Sequence, residues 1–152
     1  MKKISIILLF FLLYLNAYPE ARKPIEILAD IMEWNKQLGQ AVATGNAKAI
    51  QDQTTIKANK IIAVLNEDNS QQIKELQAIG EIVFLKNKQL ATGDKATYYI
   101  NQDKVIITGN VELKRDGNII KGEKLIIDFL SGLSKMEASG TNQKVKMKYI
   151  TE

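Results

Sequence analysis

The sequence contains no cysteine and no histidine. The first absence rules out disulfides and leaves the redox compartment unreadable from thiols. The second removes the commonest general base and metal ligand. Together they take away the usual nucleophile relays of covalent catalysis. Proline is scarce too, with two residues in 152. A charged fraction of 25% beside a hydrophobic fraction of 45% excludes a disordered chain and supplies enough apolar material for a core. The net charge of +4 falls further once Lys2 and Lys3 are set aside with the leader, leaving 19 basic against 17 acidic residues. That balance is too mild, and its lysines too dispersed among too few aromatics, to argue for a nucleic-acid partner. No helical period of useful length follows the first 17 residues, and the length fits one domain.

Residues 1–17 read as a secretory signal peptide. Lys2 and Lys3 form a basic start, and Ile4 to Leu15 is a near-continuous apolar run of 12 residues. A spanning helix needs about 20 apolar residues, so a cleaved leader is favoured over an anchor. Export without cysteines suggests a bacterial periplasm. Residues 18–24 are a polar entry segment, and residues 25–152 form the folded domain.

Two short phrases recur along that domain. One is a glycine followed by an alternating strand: Gly45-Asn46-Ala47, Gly80-Glu81-Ile82 and Gly109-Asn110-Val111, with a decayed copy at Gly140. The other is an acidic or amide residue opening an alternating strand, at Asp30, Asn59, Asp94 and Glu123. The two phrases keep step at intervals of 29 to 35 residues, the signature of stacked repeats. Within each phrase the apolar period is two, so the units are strands. Glycine at a fixed place in each marks a corner with no room for a side chain. Asp116-Gly117 predicts a type I′ hairpin turn. The expected fold is all-β: an antiparallel jelly-roll or half-pipe of stacked strand repeats with open ends.

Aligning the copies gives inward columns that hold Met32, Trp34, Ile61, Ile82, Phe84, Tyr98, Ile107, Val111, Leu113, Leu125, Ile127 and Phe129. These columns either fill the core of a sandwich or line an apolar slot, which the many inward alanines would leave unfilled. Any two-layer β fold must have such columns, so the residues alone leave both readings open. Lys60, Lys95 and Lys124 follow corners and are candidates to meet a polar headgroup at a slot mouth. The tail alternates lysine with apolar residues from Lys144 to Tyr149, as a guarded edge strand does.

The phrases Ala43-Thr44-Gly45-Asn46-Ala47, Leu90-Ala91-Thr92-Gly93-Asp94-Lys95-Ala96-Thr97-Tyr98 and Ile107-Thr108-Gly109-Asn110-Val111-Glu112-Leu113 resemble the LptA/OstA family of periplasmic lipopolysaccharide-transport proteins. The likeness runs from about Ile25 to Gly140. It is shared with the membrane-anchored LptC type and the N-terminal domain of LptD, and a short leader followed by one domain favours the soluble bridge. The resemblance implies a β-jelly-roll with a slot for acyl chains. It also implies partners: lipopolysaccharide with its lipid A, LptC-type and LptD-type jelly-roll domains, and further copies of the same chain, joined end to end. The docking edges expected are Ile25–Trp34 and Val145–Tyr149.

The function expected is therefore a carrier without enzymatic activity, cofactor or metal. Two alternatives stand beside it, a structural or adhesive β-stack without lipid and the LptC-type component. A glycan hydrolase using Asp94 and Glu123 is the best enzymatic alternative, but both sit in the corner column, where a turn role explains them.

Overall fold

The computed structural model describes residues 22–68 and 72–151. The expected signal peptide lies outside them, as does the first half of the entry segment. The described chain is almost entirely β. Six long strands form a continuous meander: β3 (Gln40–Gln51), β4 (Thr54–Leu65), β5 (Ile73–Lys86), β6 (Gln89–Tyr99), β7 (Lys104–Arg115) and β8 (Asn118–Asp128). Each pairs antiparallel with the next. At one end of the stack two short strands, β1 (Glu26–Leu28) and β2 (Ile31–Asn35), share β3 between them. At the other end β9 (Leu133–Glu137) and β10 (Lys146–Lys148) share β8 in the same way. The result is one sheet of ten strands with two open edges.

The corners expected at the glycines are β-bulges. In β7, Thr108 and Val111 span three residues while their partners on β8, Lys124 and Gly122, span two. The extra residue is absorbed at Gly109 and Asn110, with φ of +84° and +46°. A bulge that opens on a left-handed residue favours glycine there and bends the strand. The pattern repeats in β3 at Gly45–Asn46 and in β5 at Gly80–Glu81. What alternation suggested as a pair of strands around Gly80 is thus one 14-residue strand with a bend. The decayed copy at Gly140 has no such strand. There the chain leaves the sheet after Glu137 and rejoins it at Lys146.

Because the bulges line up, the sheet folds over along one line and its two halves face each other. Two cross-strand rows show how. In the first half, a row starts at Trp34 and runs through Ala41, Ala63, Leu76, Tyr98, Val105 and Ile127 to Ser134. In the second half, a row starts at Ile27 and runs through Ala49, Ile56, Phe84, Ala91, Leu113 and Ile120 to Met147. The halves meet through their aromatic rings: Phe84 lies 5.9 Å from Tyr98 and 6.0 Å from Phe129, centroid to centroid. Both spacings are those of interacting ring pairs.

Candidate functional site

The interior holds most of the columns expected to face inward. Ile61, Ile82, Phe84, Tyr98, Ile107, Val111, Leu113, Leu125 and Ile127 are all buried in one apolar cluster, and Met32 and Phe129 pack against its border. Trp34 differs. Its register sets it on the inward face, yet it is 72% exposed. The cause is its place in the stack: β2 is an edge strand, and among the described residues no further strand covers it. Met147 ends the other row on the opposite edge and is 56% exposed.

The slot expected from the small inward residues is not left open. Ala43, Ala47, Ala49, Ala63 and Ala78 are buried against larger neighbours, and Phe84 and Ile107 are both 0% exposed. Small and large residues of both halves lie in one buried cluster. An acyl chain inside would have to part them.

Lys60, Lys95 and Lys124 stand on the outer face of the sheet. They share one outer row with Thr44, Ile79 and Thr108. Each precedes an inward residue, Ile61, Ala96 or Leu125, and alternation turns it to the far side of the sheet. This is the outward parity that the column alignment expects.

A seam between the two halves carries a cluster of polar groups that were not singled out from the sequence. Lys86, at the end of β5, reaches across to Asp103 in the β6–β7 connection. It also donates to the Tyr98 hydroxyl at 3.3 Å, and that hydroxyl donates to Asp103 Oδ1 at 2.7 Å. The Lys86 ammonium stands 4.6 Å from the centre of the Phe129 ring and 5.5 Å from that of Tyr98. Burial, and then the hydrogen bond to Asp103, push the Tyr98 phenol well above its usual range. Asp103 is held in place by the turn: residues Ile100–Gln102 make one 3₁₀ turn, and Asp103 follows in the left-handed region at φ +45°.

A second tie crosses the same seam. The segment before β1 lies over it, with Arg22 Nη1 donating to the Ile100 carbonyl at 2.8 Å and to Asn101 Oδ1 at 3.0 Å. On the other half, Lys23 Nζ pairs with Asp52 at 2.5 Å, and Gln51 Nε2 donates to the Lys23 carbonyl at 2.9 Å. A cavity of about 240 Å³ opens between the ties, lined by Arg22, Thr54, Lys86, Tyr98, Asp103 and others. The only sequence signal for this cluster was that Lys86 ends an otherwise apolar alternation just before a turn.

The corner carboxylates have structural work. Asp30 Oδ2 accepts from Asn46 Nδ2 at 2.9 Å, and Asp94 Oδ2 accepts from Asn110 Nδ2 at 3.3 Å. Glu123 Oε2 receives the Asn110 backbone N–H at 3.4 Å. The pair considered for acid–base chemistry therefore holds the two sides of one bulge residue.

Three comparisons bear on this architecture. Residues 26–133 match the family model described as LptA/(LptD N-terminal domain) LPS transport protein. The lipopolysaccharide export system protein LptH of Pseudomonas aeruginosa is 26% identical over 120 residues, covering 74% of this chain and 67% of that protein. An uncharacterized protein of Rhizobium meliloti, R00383, is 21% identical over 132 residues, covering 82% of this chain and 71% of its own length. Among solved structures, that of LptH from P. aeruginosa, described as the LptA-homologous periplasmic component of the lipopolysaccharide transport device, superposes with a TM-score of 0.73. It covers 85% of this chain and 96% of its own at 18% identity, a likeness of fold. With the family model spanning β1 to the start of β9, this chain belongs to the LptA/(LptD N-terminal domain) family of lipopolysaccharide transport proteins.

Proposed function

We propose that this chain is a periplasmic carrier that shields the acyl chains of lipopolysaccharide between its two sheet halves and joins similar folds at its two open edges. The observation that carries the reading is the continuity of the inward rows. They run without a polar break from β3 to β8; one row opens on the exposed Trp34 of β2, and the other closes on the exposed Met147 of β10 at the opposite edge. A closed structural sandwich gains nothing from ending its interior in the open. A fold that continues its interior into a neighbour does.

The edges suit such joining. In the sheet, β2 and β1 run antiparallel to β3, and β9 and β10 run antiparallel to β8. A copy stacked beyond β9 and β10 in the same orientation would bring β2 beside β9 and β1 beside β10, again antiparallel. That is strand addition at a sheet edge, with backbone hydrogen bonds supplying affinity and inward side chains supplying register. The occupants of the two edges are an LptC-type fold, an LptD-type domain, or another copy.

The energetics of cargo are favourable once the halves part. A saturated chain gains about 0.8 kcal/mol per buried CH₂. The work of opening the packed interior is set against that gain. Nothing in this mechanism requires bond chemistry, consistent with a family defined by transport.

The test is photocrosslinking to lipopolysaccharide, with azidophenylalanine in place of Phe84 and, as a control, in place of Lys48 on the outer face. Crosslinking at position 84 alone supports the carrier. Crosslinking at neither position, in folded protein, favours a structural β-stack.

A further inference from the structure

Lys86 is poorly accounted for by closure alone. Its side chain is 13% exposed and its ammonium lies over an aromatic ring that borders the apolar interior. A buried ion pair adds little net stability over a well-packed apolar replacement, because both charges lose their water. A seam between two apolar halves could be shut more cheaply by leucine. The choice of a cation there points to an anion that is not always Asp103.

The pair is also lopsided. The Asp103 side chain is 27% exposed, on a turn at the rim, and can return to water. Lys86 cannot do so without leaving the interior. An incoming anion would therefore displace Asp103 and keep Lys86. The cavity of about 240 Å³ beside them offers the space, and Arg22 lines it with a second cation. The other carboxylate in its wall, Asp52, is already paired with Lys23 at 2.5 Å. On the interior side the wall is formed by Thr54 and Tyr98, which also border Leu76 and Ile56 of the apolar cluster.

Resting on the carrier reading above, we infer that Lys86 binds the phosphate of an amphiphile whose chain enters the interior at this seam, with Asp103 as the internal carboxylate that the phosphate displaces. Tyr98, freed from Asp103, turns its hydroxyl to the phosphate. No bond to phosphorus is made or broken. The exchange of one anion for another on Lys86 opens the latch between the halves as the head is seated, so loading and opening are one event.

Titration calorimetry with dodecyl phosphate, below its micellar concentration, tests this against dodecyl maltoside and inorganic phosphate. Dodecyl phosphate is expected to bind wild type more tightly than either. Lys86→Met should weaken dodecyl phosphate roughly ten- to a hundredfold, the range for losing a hydrogen bond to a charged group, without weakening dodecyl maltoside. Asp103→Asn, which keeps the shape and frees the cation, should tighten dodecyl phosphate and do so more than dodecyl maltoside. A merely structural Asp103 predicts equal shifts for both amphiphiles, so this variant decides the matter even if Lys86→Met fails to fold. Equal binding of both amphiphiles overturns the site and leaves the carrier reading standing. Binding of neither overturns both. Inorganic phosphate binding as tightly as dodecyl phosphate overturns the amphiphile as the ligand.

Discussion

Trp34 and Ser134 are the two ends of one cross-strand row. The largest side chain of the β2 edge and a small one on the β9 edge thus occupy the same inward level of the sheet. A second copy stacked in register would set its Trp34 over Ser134. The outer rows then align as well: Glu33 and Lys135 end one of them, and Glu26 and Lys148 end another. Opposite charges would meet at both places. Reversing either charge, as in Glu33→Lys or Lys135→Glu, is expected to weaken self-association, and combining the two should restore it. The effect is modest, because exposed pairs are worth about 0.2–1 kcal/mol and Lys135 already pairs with Glu137 at 2.7 Å. Sedimentation velocity reads it. A double variant no better than the singles would reject this register.

The same row separates stability from association. Trp34→Ala removes a large side chain that the isolated fold does not bury. Thermal unfolding should change by no more than about 0.5 kcal/mol, as for other surface positions, while self-association falls. Phe84→Ala, at 0% exposure, should cost about 3–5 kcal/mol, the range for a buried aromatic. Were Trp34→Ala to destabilise the monomer comparably, its exposure in the free chain would be wrong.

The fold was legible in the sequence because the repeats carry their own corners. Gly45, Gly80 and Gly109 all stand at the corners that their spacing implied, each with a left-handed φ, and the inward parity of Ile61, Phe84 and Ile107 followed from alternation alone. What alternation could not supply was the position of a strand within the stack. Trp34 has the right parity and the wrong burial, since a column does not say which of its members lies at an open edge. Nor could the period say which corners lie near each other once the sheet folds over. Lys60, Lys95 and Lys124 share an outer row that the repeat reveals, whereas the polar seam joins Lys86 to Asp103 across two connections, which it does not. That contact depends on the fold-over angle, which no local pattern encodes.

The bulges offer a stability test with an internal control. Gly109 and Gly132 both have left-handed φ, +84° and +75°. A Cβ at Gly132 meets nothing within 4 Å, whereas one at Gly109 runs into the Asp94 carboxylate that holds Asn110. Gly132→Ala should therefore show backbone strain alone, about 1 kcal/mol. Gly109→Ala should cost more and lower the melting temperature by several degrees further, measured by circular dichroism. Equal losses would mean that Asp94 moves aside freely and that the corner is held by backbone alone.

The seam predicts an alkaline limit to stability. Burial and the hydrogen bond to Asp103 raise the Tyr98 phenol above its usual 10 in the folded chain. Below pH 10 the phenol is neutral in both folded and unfolded states, and its contribution is fully present. Above that, the unfolded chain ionises first, so the folded state holds the extra proton and stability falls as pH rises. Lysines lose charge over the same range, which makes wild type alone ambiguous. Tyr98→Phe keeps the ring beside Phe84 and the Lys86–Asp103 pair while removing the titrating group. Urea unfolding between pH 8 and 11 should therefore show a steeper loss for wild type than for Tyr98→Phe, the curves converging as pH rises. Parallel curves would mean that the phenol is not enclosed at the seam, and the latch would lose its central member.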